Sequence, residues 1–92
     1  MTAPQTYEQT SEPVGEMTDQ LLQEQLPQVK YIARRIHERL PQHVPLDDLV
    51  HAGIVGLIDA AHKFNPDKQV RFASYAKFRI RGAILDSLRD MD

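Results

Sequence analysis

Ninety-two residues with 41% hydrophobic content allow one small domain. The absence of cysteine excludes disulfide scaffolds and cysteine-based zinc sites and fits a reducing, cytoplasmic setting, and no apolar run is long enough for a membrane span or a secretory signal. The formal net charge of -2 hides a gradient: over residues 63–89, Lys63, Lys68, Arg71, Lys77, Arg79, Arg81 and Arg89 meet only Asp67 and Asp86, so an acidic chain carries a local field suited to phosphate.

In chain order, residues 1–17 are polar, contain Pro4 and Pro13 and show no sustained apolar period, which predicts a disordered or flexible arm ahead of a helical domain over residues 18–92. Thr18 can cap a helix bearing Leu21, Leu22 and Leu26. Pro27 predicts that this helix ends near Leu26 or kinks there, with a second helix from about Pro27 to Leu40. The stripe of that second helix is Val29, Ile32, Ala33, Ile36 and Leu40, and Lys30, Arg34, Arg35 and Glu38 are read as a solvated face. The segment Pro41-Gln42-His43-Val44-Pro45 breaks the pattern.

A further helix is expected from Asp47 to about Phe64, with Asp47 and Asp48 accepting bonds from its free first-turn amides. Leu49, Val50, Ala52, Gly53, Leu57, Ile58, Ala60 and Ala61 cover more than one of its faces, and Ile54 and Val55 extend that coverage. Such a helix needs neighbours on both sides, supplied by internal packing or by a partner protein. Gly53 and Gly56 each cost about 1 kcal/mol of helix propensity, which is understandable if another helix crosses closely there. Residues 64–69 form a turn by composition, and a last helix runs from Phe72 to Arg89 on the stripe Phe72, Ala76, Ile80, Ile84 and Leu88. The expected fold is all-α, a compact three- to four-helix domain with a disordered N-terminal arm.

Little here suggests catalysis. His37, His43, His51 and His62 have no metal-site spacing, no serine sits in a nucleophile-elbow context, and Gly53-Ile-Val-Gly56 lies inside a helical pattern, where it cannot serve as a phosphate loop. Asp59 is read as an exposed carboxylate. Binding is the better reading of residues 63–81. Phe64, Phe72, Tyr75 and Phe78 supply rings, and the cations interleaved with them can follow a phosphate backbone, the combination that holds unpaired nucleic acid. Duplex reading by a helix-turn-helix fits less well.

Two motifs in fixed order carry a family resemblance: D-L-V-x-x-G-x-x-G-L-x-x-A-x-x-x-F over residues 48–64 and R-F-x-x-Y-A-x-x-x-I-R-G-A-I over residues 71–84. The chain from about Leu26 to Asp92 resembles conserved region 2 of bacterial sigma-70-type transcription initiation factors, and Arg79-Ile-Arg-Gly-Ala-Ile-Leu-Asp-Ser-Leu-Arg89 is most similar to the alternative factors of the flagellar and sporulation type. The resemblance implies a non-enzymatic protein without cofactor or metal, acting in the cytoplasm. It implies that Asp48, Leu49, His51, Ala52, Ile54, Val55, Leu57 and Ile58 dock on the clamp helices of the largest RNA polymerase subunit. It further implies that Phe64, Lys68, Ser74 and Tyr75 line a pocket for a flipped base of the non-template strand of the promoter -10 element. Arg71, Phe72, Lys77, Phe78 and Arg79 would hold the strand and the duplex junction, and Arg81, Leu85, Asp86 and Arg89 would begin the -10 recognition segment. An anti-sigma factor is a further partner of the kind such a domain takes.

The chain departs from the housekeeping pattern in three ways. Phe78 and Arg79 stand where tandem tryptophans are usual, and His51 and Ala52 stand where a glutamine and a glutamate are usual. The sequence stops at Asp92, inside the recognition segment, which is the expectation for a domain truncated at its C-terminal end.

Overall fold

Three helices make up the computed structural model, which describes the backbone of residues 2–90 and the side chains of residues 19–90: α1 (Thr2–His37), α2 (Leu46–Lys63) and α3 (Phe72–Arg89). The arm expected over residues 1–17 and the Thr18 cap lie outside the described side chains. No strand occurs among the described residues, so the all-α expectation holds with three helices rather than four.

The break expected at Leu26 is absent, because α1 continues through Pro27. Proline removes the amide that would bond the carbonyl of Gln23. Gln23, Leu26 and Pro27 all face solvent, so water can satisfy that carbonyl. Leu21 and Leu22 before the proline, and Val29, Ile32 and Ala33 after it, pack into one apolar core, so tertiary burial overrides the local preference. At the other end α1 stops at His37 rather than Leu40. Turn bonds from Arg39 N–H to the Ile36 carbonyl (3.1 Å) and from Leu40 N–H to the His37 carbonyl (3.0 Å) tighten the exit. His37 Nε2 lies 2.7 Å from the Val44 carbonyl and ties the α1–α2 connection to the helix end.

Helix α2 begins after Pro45, whose extended backbone suits a helix entry, and no side-chain cap bond forms there. The expectation that Asp47 and Asp48 would cap amides is therefore corrected: both lie inside the first turn, where a carboxylate favours the positive end of the helix without accepting a capping bond. The α2–α3 turn is built as its composition suggests. Asn65 Oδ1 accepts from Asp67 N–H at 2.9 Å, and the Asn65 carbonyl accepts from Lys68 N–H at 3.1 Å.

The core sits where the three stripes meet. Val29, Leu49, Leu57, Ile80 and Ile84 are its largest fully buried side chains, with Ala33, Ala60, Ala76 and Phe72 around them. Both α2 glycines mark close approaches. A Cβ on Gly53 would lie 2.9 Å from Val29 Cγ1 and 3.2 Å from Ile84 Cδ1, at the junction of all three helices. One on Gly56 would lie 2.6 Å from the Arg79 carbonyl oxygen and 2.7 Å from Ala83 Cβ, so α3 backbone passes directly over this position. The propensity cost of these glycines thus permits the α2–α3 crossing.

Candidate nucleic-acid interface

Helix α3 divides its residues sharply. Phe72, Ala76, Ile80 and Ile84 are buried, and Leu88 is half-buried at the end of the stripe. Ser74, Lys77, Phe78, Arg79, Arg81, Leu85, Asp86 and Arg89 are exposed, as is Arg71 at the cap position, so one helix supplies both a core face and a charged outer surface.

The four rings do not share one role. Phe64 meets Phe72 edge-on with centroids 5.1 Å apart and lies 5.9 Å from Tyr75 in a tilted arrangement. This trio brackets the turn between α2 and α3 and fixes how α3 enters. Phe72 is only 8% exposed, so little of its ring is accessible for the strand contact that the resemblance implies for it. Phe64 and Tyr75 are half-buried, each keeping part of its ring at the surface. Phe78 stands apart at 75% exposure, a large ring held in water with no aromatic neighbour among the described residues.

The cations are also unequal. The Arg79 guanidinium donates to Asp59 Oδ2 across the α2–α3 crossing, and Lys63 Nζ lies 3.2 Å from the other oxygen of the same carboxylate. Asp59, expected to be a free exposed carboxylate, is instead half-buried and shared between two cations. Arg89 lies 3.9 Å from Asp86 with both side chains well exposed, a contact worth little in water. Lys68, Arg71, Lys77 and Arg81 are exposed and belong to none of the salt bridges among the described residues.

The candidate partner face on α2 separates in the same way. Leu49 and Leu57 are fully buried and hold the helix in place rather than offering surface. Ala52 and Ile54 are half-buried against the core, and Asp48 and His51 are exposed. Val55 at 65% and Ile58 at 38% exposure are the large apolar side chains that α2 leaves in solvent. Val55 also lines a shallow groove with Gly56, Asp59, Phe78, Gly82 and Ala83, so the exposed apolar patch of α2 borders the exposed ring of α3.

Sequence reasoning missed two arrangements. The Asp59–Arg79 pair joins residues twenty positions apart on different helices, and no local pattern signals it. The second is at the end of α1, where Tyr31 and Arg35, with Arg39 in the exit turn, follow at intervals of four and border a groove against α3, although Arg35 reads from the sequence as merely solvated. The four-residue spacing was the available signal. Among the described residues, no three His, Asp or Glu side chains come together in a way that could hold a metal, and no helix is long and apolar enough to cross a membrane.

Comparison with known proteins shows the family of this domain. Residues 21–92 match the family described as Sigma-70 region 2. The chain is 47% identical over 74 residues to the RNA polymerase sigma-D factor of Bacillus subtilis (strain 168), a stretch covering 80% of this chain and 29% of that protein. It is 46% identical over 74 residues to the RNA polymerase sigma factor FliA of Pseudomonas aeruginosa, covering 80% and 30%. Against the FliA of Escherichia coli (strain K12) it is 44% identical over 72 residues, covering 78% and 30%. The chain therefore spans under a third of the length of these curated relatives.

Proposed function

Because the chain belongs to the sigma-70 region 2 family, we propose that its domain, residues 18–92, captures the non-template strand of a promoter -10 element while docked on the clamp helices of the core RNA polymerase. The observation that carries the DNA half of this reading is Phe78, exposed on α3 between Lys77 and Arg81. An exposed ring is unfavourable in water unless a partner covers it, and an unpaired base stacked on such a ring contributes about 1–3 kcal/mol. Lys68, Arg71, Lys77 and Arg81, outside the intramolecular pairs, neutralise phosphates beside it. Ser74 and the exposed parts of Phe64 and Tyr75 border the base pocket. Leu85, Asp86 and Arg89 continue the same outer surface toward the end of α3.

Base extrusion costs a few kcal/mol, which stacking and phosphate contacts recover, so melting is driven by binding energy and needs no catalytic group. Phe72 and Arg79 take supporting roles in this reading: Phe72 seats the ring trio, and Arg79 locks α3 onto α2 through Asp59. The polymerase contact centres on Val55 and Ile58, flanked by Asp48, His51 and the accessible parts of Ala52 and Ile54. Leu49 and Leu57 support it from beneath. The same apolar patch is the natural target for a competing regulator such as an anti-sigma factor. In this reading the protein acts in the cytoplasm, alongside the polymerase.

The test is a fluorescence-anisotropy titration of a single-stranded -10-like oligonucleotide with the chain bound to core polymerase. Phe78→Ala should weaken oligonucleotide binding by roughly 5- to 150-fold, the equivalent of about 1–3 kcal/mol, with the fold intact by circular dichroism. Val55→Glu should abolish polymerase binding and leave the helices unchanged. Wild-type affinity in both variants would sink the reading. Val55 is a better probe than Ile54, whose packing against the core would confound loss of binding with loss of fold.

A further inference from the structure

The exposed ring of Phe78 has a different electrostatic setting on each side. Toward α1, Lys77 and Arg81 line a groove that no carboxylate lines, and neither belongs to a salt bridge among the described residues. Toward α2, Phe78 shares its groove with Arg79 and with two carboxylates, Asp59 and Asp86. Asp86 makes only the long, well-exposed contact to Arg89. Asp59 is engaged through both oxygens. One accepts from the Arg79 guanidinium, and the other lies 3.2 Å from Lys63 Nζ. A single carboxylate therefore occupies two cations on one flank of the ring, while the cations of the opposite flank stay free.

Joining α3 to α2 does not require both contacts. Lys63 lies one turn from Asp59 on the same helix, so its ion pair adds nothing across the seam. The Arg79 backbone is in any case held by its close passage over Gly56. What the two contacts share is that each takes up a positive charge beside the strand-capturing surface. We propose that Asp59 is a masking residue, which withholds Lys63 and Arg79 from the phosphate backbone so that the strand is gripped on the Lys77–Arg81 side of Phe78 alone. This rests on the strand-capture reading above. Phosphate contacts raise affinity for any strand and carry no sequence information, whereas stacking on Phe78 requires an unpaired base. By limiting the former, Asp59 caps affinity for DNA of arbitrary sequence and leaves the ring contact a larger share of the binding energy.

Masking and mere stapling predict changes of opposite sign. If Asp59 only held the helices together, its loss would weaken binding; if it masks cations, its loss tightens binding. Each phosphate neutralised on a single strand contributes about -0.7 to the slope of log affinity against log salt concentration. The experiment measures that slope for -10-like and scrambled single-stranded oligonucleotides on purified complexes of the chain with core polymerase. Asp59→Asn should steepen the slope by about 0.7–1.4, one to two contacts' worth, and tighten both oligonucleotides at low salt by the same factor. Adding Lys63→Gln to it should remove about 0.7 of any two-contact gain. Asp59→Glu, which keeps the carboxylate, should stay at the wild-type slope. So should Glu24→Gln, the same change of charge at an exposed α1 position outside both grooves. A wild-type slope or weakened binding in Asp59→Asn, with Phe78→Ala still weakening binding, overturns the masking role and leaves strand capture standing. Equal steepening in Glu24→Gln or Asp59→Glu overturns it as well. Failure of the wild-type complex to bind either oligonucleotide overturns both readings.

Discussion

Helix α3 meets its two neighbours along seams of opposite character. Against α2 the approach is so close that Gly56 lies under α3 backbone, and the Asp59–Arg79 ion pair crosses the contact. Against α1 the helices diverge into a groove rimmed by Arg35, Arg39, Lys77 and Arg81. A similar stock of arginine and small apolar residues thus closes one seam and leaves the other open. The difference is a carboxylate and a glycine: α2 presents both to α3, while the face of α1 that borders the groove presents neither. Charge that is paired across a seam fixes geometry, and charge left unpaired is available for recognition.

Substitutions at the closed seam should show the largest effects. Gly56→Ala places a methyl group against the Arg79 carbonyl and Ala83, and is expected to lower stability by about 1–3 kcal/mol despite alanine's better helix propensity. Urea denaturation should show this as a lower midpoint with an unchanged slope; a higher midpoint would mean that the seam is looser than described. Gly82→Ala is the matched opposite. A Cβ there meets nothing within 4 Å, so stability should rise by about 0.5–1 kcal/mol in the same assay. Any accompanying loss of oligonucleotide binding would show that the open space beside Phe78 is used by the strand. The smallest effect is expected for Asp59→Asn, because the paired side chains are 34% and 41% exposed and water screens them. A loss of about 0.2–1 kcal/mol, shrinking at high salt, is the expected result.

The buried stripe of α3 was legible in the sequence because apolar residues at every fourth position leave few other helical arrangements, and Phe72 to Ile84 are buried as that spacing requires. The division of α2 was half legible. Its excess apolar coverage predicted neighbours on two sides, and Val55 and Ile58 are indeed left in solvent, but periodicity alone could not show that Leu49 and Leu57 have no surface to give. Pro27 misled because proline preferences are local, whereas Leu21, Leu22 and Val29 are held by a core built from distant residues. Likewise, Asp47 and Asp48 occur at a helix start, yet the chain enters from Pro45, which takes the cap position and leaves them inside the first turn. The role of Arg79 was hidden for the same reason, since its partner lies on another helix.

The unbroken passage of α1 through Pro27 has a consequence for how the helix opens. The hydrogen-bond ladder is interrupted at one rung, and the interruption falls just before Val29, the first fully buried side chain among the described residues. Fraying that starts among residues 19–26 meets a gap in the ladder and then a turn anchored by Val29, Ile32 and Ala33, so the gap acts as a stop. The helix is continuous in shape but divided in cooperativity. Hydrogen exchange is expected to show the division, with the amides of residues 19–26 exchanging faster than those from Val29 to Ala33.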